Sequence, residues 1–332
     1  MYQRSVQVTG GTTFFVTLPK PWATAMGIRG QSMVTLVPTD SGGLLVLPER
    51  TKAANACHMT LGDWNFERVQ RELFARYIMG YDVIHVAGTR IGPEKRRMVR
   101  EITQSLIGLE ILDETQDTVV LSSVLKAQDF PAHRSLERIF DMASSMLGDA
   151  VNAVAARDEL LARDVVERDS DVDRLVLLVE RQFSLFLRDL AILDGTQLTK
   201  LQFLYYLNVA KQLERVADHA AKVSEASLAL SRPLPDPLIG QIRETAEASQ
   251  GVLAEAVRAF LARDHEGAND VLARRQQADE LYDLDAVRAS ELSEDSARAL
   301  SIVLDSCLRI REYAYNIAEA ALDVVIPDVC SG

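Results

Sequence analysis

Leu198 to Val223, LTKLQFLYYLNVAKQLERVADHAAKV, decides the architecture of most of this chain. Within it Leu198, Leu201, Tyr205, Val209, Leu213, Val216, Ala220 and Val223 follow one another by three or four residues, the step that returns side chains to one helix face. Just upstream, Val172, Val176, Val179, Phe183, Phe186, Leu190 and Leu193 do the same, and Asp194-Gly195 separates the two seams. Two long amphipathic helices side by side must bury their seams in a bundle.

Working outward, the bundle is written twice. Thirteen residues between Leu147 and Leu175 recur 106 positions later, between Leu253 and Leu281, with no gap. Arg215, Ala220, Glu225, Ala226 and Leu228 recur 94 positions later as Arg309, Ala314, Glu319, Ala320 and Leu322. The helices are expected at about 133–157, 160–193 and 196–230, then 237–263, 268–290 and 294–325. The rigid run Ser231-Arg232-Pro233-Leu234-Pro235-Asp236-Pro237 divides repeat 131–231 from repeat 236–326.

The charge is spread unevenly. Residues 1–52 carry five bases and two acids, 53–130 nine and eleven, and the remainder twenty-two and thirty-five, within a net charge of −12. Nucleic acid cannot be bound over such a surface as a whole, so a DNA contact would have to be local, at the basic start. There, short β-branched and aromatic runs surround Gly10-Gly11-Thr12-Thr13 and Asp40-Ser41-Gly42-Gly43, giving four strands around one short helix at Trp22 to Met26. About 50 residues bury little core alone, so this segment is expected to self-associate.

Residues 53–130 read as a strand at Ala56–Leu61, helix Phe66–Met79, strand Asp82–Ala87, helix Pro93–Leu106, and a hairpin from Leu109–Leu112 to Thr118–Leu121. A ferredoxin-like arrangement is expected. Lys95, Arg96, Arg97 and Arg100 are flanked by Glu94 and Glu101 at helical distances and read as a solvated face. His58 and His85 are isolated, and Gly88 to Gly92 lacks the spacing and lysine of a phosphate loop.

The chemistry is carried by acids. Asp169 and Asp173 lie four apart on one helix, Glu214 and Asp218 four apart on the next. Extending the seam backward from Val172 puts Asp169 in core register, where an unpaired carboxylate needs a cation. Four carboxylates without thiol or imidazole suit a hard ion, Mg²⁺, Mn²⁺, Ca²⁺ or iron; alternatively, Arg168, Arg174 and Arg215 pair with them. In the second repeat Arg275 stands at the position of Asp169, Leu308 at Glu214 and Glu312 at Asp218, while Asp279 matches Asp173. A second site of Asp279, Asp283 and Glu312 is expected to be weak or empty.

The order strand, turn, strand, Leu18-Pro19-Lys20, Trp22-Ala23, Met26-Gly27-Ile28, strand, hairpin, strand over Ser5 to Pro48 resembles the SpoVT/AbrB family of swapped-hairpin DNA-binding domains. The resemblance implies two interlaced chains with bases of one face against DNA, which makes Arg4, Lys20 and Arg29 the candidate phosphate contacts. Asp169-x-x-x-Asp173 followed by Leu-Glu-Arg-Val-Ala-Asp-His-Ala at 213–220, in a duplicated three-helix unit over 131–326, is similar to the PhoU family of phosphate-signalling proteins. That resemblance implies a multinuclear metal cluster at the acidic motifs. Together the two look like an archaeal type of phosphate-uptake regulator.

The chain is therefore expected to be multidomain, α+β and all-α. It would have an AbrB-like swapped-hairpin β-barrel head at 1–52, a small ferredoxin-like α+β domain at 53–130, and a PhoU-like double three-helix bundle at 131–332. Its expected function is transcriptional or signalling regulation of phosphate uptake, with DNA at the dimeric head and metal or partner proteins at the body, cations or partners shifting the two heads. The alternative is an adaptor that binds a phosphate transporter ATPase or membrane signalling protein and uses the head only to dimerise. A homodimer or higher even oligomer, a cytoplasmic location and no transmembrane segment are expected. No enzyme is expected, because no catalytic constellation is present and Glu214 and His219 are five apart, unlike the Glu-x-x-His of di-iron bundles. Cys57, Cys307 and Cys330 read as reduced thiols.

Overall fold

The computed structural model describes residues 2–38, 42–48, 55–125, 131–188, 198–230, 232–275 and 292–329. The chain forms two compact units, Met1–Ala54 and Asn55–Gly332.

In the first unit, β1 (Gln7–Thr9) pairs antiparallel with β2 (Thr13–Phe15), Val8 opposite Phe14. Gly10 and Gly11 make the turn at φ of 61° and 80°, a left-handed conformation that costs glycine little. Helix α1 (Lys20–Ala25) starts on Pro19-Lys20-Pro21, and β3 (Val34–Pro38) pairs with β4 (Leu44–Pro48). The hairpins are separate two-stranded sheets, so the expected barrel is not closed by one chain. None of the described residues of this unit is buried, and Val6, Val8, Phe14, Phe15, Val16, Leu36 and Leu44 are exposed. Two lone hairpins offer one another too little surface to build a core.

In the second unit, β5 (Ala56–Thr60), α2 (Phe66–Ile78), β6 (Val83–Ala87), α3 (Pro93–Gln104), β7 (Leu109–Glu114) and β8 (Thr118–Ser123) make a sheet of order β5-β6-β8-β7. β5 and β6 are adjacent and parallel, and the other neighbours are antiparallel. The ferredoxin-like expectation is thus corrected. A ferredoxin-like chain runs βαββαβ with its two βαβ halves interleaved, whereas here α2 returns the chain beside β5 in an unsplit βαβ and a hairpin ends the module. Met59, Ile84, Val86, Val119 and Leu121 alternate along the strands to face Val69, Leu73, Tyr77, Val99 and Ile102 of the helices in one core.

The helical body begins with α4 (Ala132–Ala156), α5 (Glu159–Arg188) and α6 (Lys200–Leu228), followed by α7 (Asp236–Ala262), α8 (His265–Ala273) and α9 (Glu294–Val329). Val172, Val176, Val179, Phe186, Val209, Leu213, Val216, Ala220 and Val223 are buried as expected and Phe183, Leu198 and Tyr205 half-buried against them, whereas Leu201, expected on the same seam, is exposed. Thr199 and Gln202 form a reciprocal capping box at the start of α6. The internal repeat is visible in its details. Helices α4 and α7 both end on an arginine in left-handed conformation, Arg157 and Arg263 at φ of 52° and 53°. Asp158 and Asp264 each accept from a backbone N–H three residues on. Arg168 pairs with Asp149, and its repeat mate Arg274 with Glu255. No helix among the described residues is long and apolar enough to cross a membrane.

The module and the body are joined by Arg181 of α5, which is only 4% exposed. Its guanidinium donates to the carbonyls of Tyr77 in the last turn of α2, at 2.7 Å, and of Tyr81 just past its end, at 3.0 Å, and lies over the Tyr77 ring. The last carbonyls of a helix have no partner within it and carry partial negative charge, so an arginine suits both needs.

Candidate functional site

The acidic groove lies between α5 and α6. Asp169 and Asp173 project from α5, Glu214 and Asp218 from α6, each pair one helical turn apart. Burial, then Asp173, Asp218, Glu214 and Glu225, push the Asp169 carboxyl up to about 6, and its Oδ1 is buried without a hydrogen bond. Burial and Asp218 raise Asp173 as well. Glu214 is raised by burial, then by Asp218 and Asp173, with Arg215 acting weakly in the opposite direction. The four acids read from the sequence therefore share one electrostatic neighbourhood. Among the described residues no three ligating side chains close on a common point.

The arginines offered by the sequence as alternative partners of these acids are engaged elsewhere. Arg168 pairs with Asp149 and Asp164, Arg174 with Asp171, and Arg215 lies over the Tyr313 ring. No base among the described residues forms an ion pair with any of the four carboxylates. His219, adjacent in sequence, is buried against α9. Its Nδ1 lies 3.1 Å from the Ser306 hydroxyl and its Nε2 3.2 Å from that of Tyr313. Burial, then Lys222, lowers its pKa, so it is a neutral pin between helices.

The second repeat shows what such a groove contains when it is neutralised internally. Arg275, at the position of Asp169, pairs with Glu312 at 2.7 Å and Glu319 at 3.2 Å, the mates of Asp218 and Glu225. Glu312, expected in the second metal site, is held by a guanidinium instead, because the repeat supplies its own cation. Asp279 and Asp283 lie outside the described residues. Glu225 joins the first groove unpredicted, and its signal was the two-turn step from Asp218. Donor chemistry, the orphaned Asp169 oxygen and the comparison of repeats fit a hard cation, to which Asp169, Asp173, Glu214 and Asp218 would offer oxygen ligands.

In the first unit, Arg4, Lys20 and Arg29 are exposed on the segment before β1, the start of α1 and the loop after it. Among the described residues the Arg4 guanidinium donates to the Gln3 carbonyl alone and lies over the Tyr2 ring. None of the three forms an ion pair among the described residues. The basic run of α3 is not a free face paired along its own helix. Arg96 and Arg100 both pair with Glu114 of β7, and Lys95 reaches the Gly62 carbonyl and Asp63.

Residues 136–227 match the family model described as the PhoU domain. A phosphate-specific transport system accessory protein PhoU homolog of Caulobacter vibrioides is 27% identical over 197 residues, 57% of this chain and 84% of the relative. PhoU homolog 1 of Thermotoga maritima is 22% identical, over 56% of this chain and 82% of the relative. The crystal structure of PhoU from Pseudomonas aeruginosa superposes with a TM-score of 0.53 at 21% identity, covering 60% of this chain and 98% of that one. PhoU from Streptococcus pneumoniae gives 0.50 at 20%, covering 58% and 92%. The helical part of this chain is thus similar in sequence to PhoU accessory proteins and has the PhoU fold.

Proposed function

We propose that this chain is a non-enzymatic regulator of phosphate uptake whose helical body acts as an accessory to a phosphate transport system. The observation that carries this reading is the similarity to PhoU accessory proteins over most of their own length, through the repeat that bears the acidic groove. In this reading Asp169, Asp173, Glu214 and Asp218 hold a hard divalent or trivalent cation, whose charge relieves their mutual repulsion and presents a fixed surface to a transporter ATPase or membrane sensor. Expression in bacteria lacking their own PhoU tests it. Phosphate uptake should return to its restrained level with the wild-type chain and not with Asp169→Asn, Asp173→Asn. Uptake that ignores the wild-type chain contradicts the proposal.

The first unit is read as a dimerising head, supported by its exposed apolar strands and lack of any buried described residue. That this head also touches DNA is a second reading, favoured by its excess of bases in an otherwise acidic chain and by the unpaired Arg4, Lys20 and Arg29. Charge reversal at these three should abolish retention of random duplex DNA at low salt. A wild-type chain that never retards duplex leaves the head with dimerisation alone.

A further inference from the structure

A cavity of about 420 Å³ lies where the α+β module meets α5, lined by Arg100, Gln104, Ile107, Leu109, Glu110 and Arg174 among others. We propose that it binds a small organic oxyanion, a carboxylate or phosphate group on a compact body with hydrogen-bond donors of its own. The cavity falls within the size range of small-molecule sites, and polar and apolar groups share its lining about equally.

The floor is built rather than incidental. Tyr77 donates its hydroxyl hydrogen to the Ile107 carbonyl at 2.8 Å, and Arg181 covers the Tyr77 ring. Gly108 turns the chain at φ of 74°, with Leu125 packed where a side chain would stand. Leu109 is fully buried beside it.

The charged groups come from different layers. Arg174 spends one terminal nitrogen on Asp171 of its own helix, 3.2 Å away, and its Nε is buried with no acceptor. Arg100 meets Glu114 through one terminal nitrogen at 3.2 Å. The Gln104 side-chain amide makes no hydrogen bond among the described residues. Each guanidinium keeps N–H groups beyond its own ion pair, and Glu110 is the one acid among the lining residues. Guanidinium N–H groups pair best with planar carboxylate or with phosphate, while Glu110 can only accept and so suits a ligand bearing N–H or O–H.

The inference goes beyond the cation groove and is measured with chelator present, so its failure leaves the proposed function standing. The full chain is titrated calorimetrically with adenosine monophosphate, citrate and inorganic phosphate. Saturable one-to-one binding of adenosine monophosphate or citrate, with Kd below about 1 mM, is expected, and the probe that binds distinguishes phosphate ester from carboxylate. Arg174→Gln or Arg100→Gln should weaken it about tenfold or more. Gln104→Trp, at an exposed helix end, keeps both arginines while filling the space and should abolish it. Equal thermal unfolding of the variants without ligand shows that they fold. The proposal is overturned if neither organic anion saturates, if inorganic phosphate binds as well as either, or if binding survives Gln104→Trp.

Discussion

Asp169 has an energetic cost that can be measured directly. Its carboxyl is raised from 3.8 to about 6 by burial and by the neighbouring acids. An unfolded chain releases this proton near pH 4 and the native one near pH 6, so its contribution to stability is full below pH 4 and lost as pH rises to 6. Two pH units correspond to about 3 kcal/mol at full strength, and partial exposure screens this to about 1–2 kcal/mol. Chelator-treated protein should therefore lose stability between pH 4 and 6, and Asp169→Asn should flatten that slope in urea titrations at successive pH values. An unchanged slope would contradict the assignment. Arg275 offers the converse. Arg275→Asp removes the built-in cation from Glu312 and Glu319, so it should lower the melting temperature in chelator and add a stabilisation by divalent cations. Loss of stability with no cation response would show that the second groove cannot be converted. The sequence already marked the four acids by their spacing. It did not reveal which arginines would leave them unpaired, because Arg168 reaches Asp149 of α4 as well as Asp164 of its own helix and Arg174 turns to Asp171, a matter of packing and rotamers that spacing does not encode.

Helix α5 carries two messages along one rod, the acids near its middle and Arg181 two turns beyond Asp173. In the sequence Arg181 appears only as a charge interrupting a greasy stretch. In the fold it closes the end of α2 with two carbonyl bonds. Arg181→Met should cost about 1–3 kcal/mol by taking the guanidinium donor from both carbonyls, of which Tyr77 keeps the Gly80 N–H and Tyr81 is left unpaired among the described residues. Amide exchange should rise first at residues 75–82; exchange rising evenly over the whole second unit would contradict a local junction. Element positions were legible because each carries periodicity and an end signal. The Pro93 and Pro235 helix starts, the Thr199 cap and the alternation along β5, β6 and β8 all fall where their residues demand. Pairing was less legible. The order strand, helix, strand, helix, hairpin is written in the sequence and already departs from the βαββαβ of a ferredoxin-like chain, so that expectation misread the order, while the parallel pairing of β6 beside β5 came only with the fold.

At the scale of the whole molecule, the repeat, the charge division and the helical body could be read from residues alone, whereas a closed head could not, since one chain supplies only two separate hairpins. Apolar strands left this exposed predict pairing. Sedimentation of the full chain should give a dimer or higher even oligomer, and Val8→Ser, Phe14→Ser should reduce its order; a monomeric wild type would contradict the swapped-hairpin reading. The central claim concerns the body, where an uncompensated acidic groove in the first repeat is set beside one neutralised by Arg275 in the second. Its most direct test is a calorimetric titration of chelator-treated full chain with Mn²⁺, wild type beside Asp169→Asn, Asp173→Asn. The account predicts saturable binding in the wild type that the double variant loses while its fold persists; equal binding in both, or none in the wild type, contradicts it.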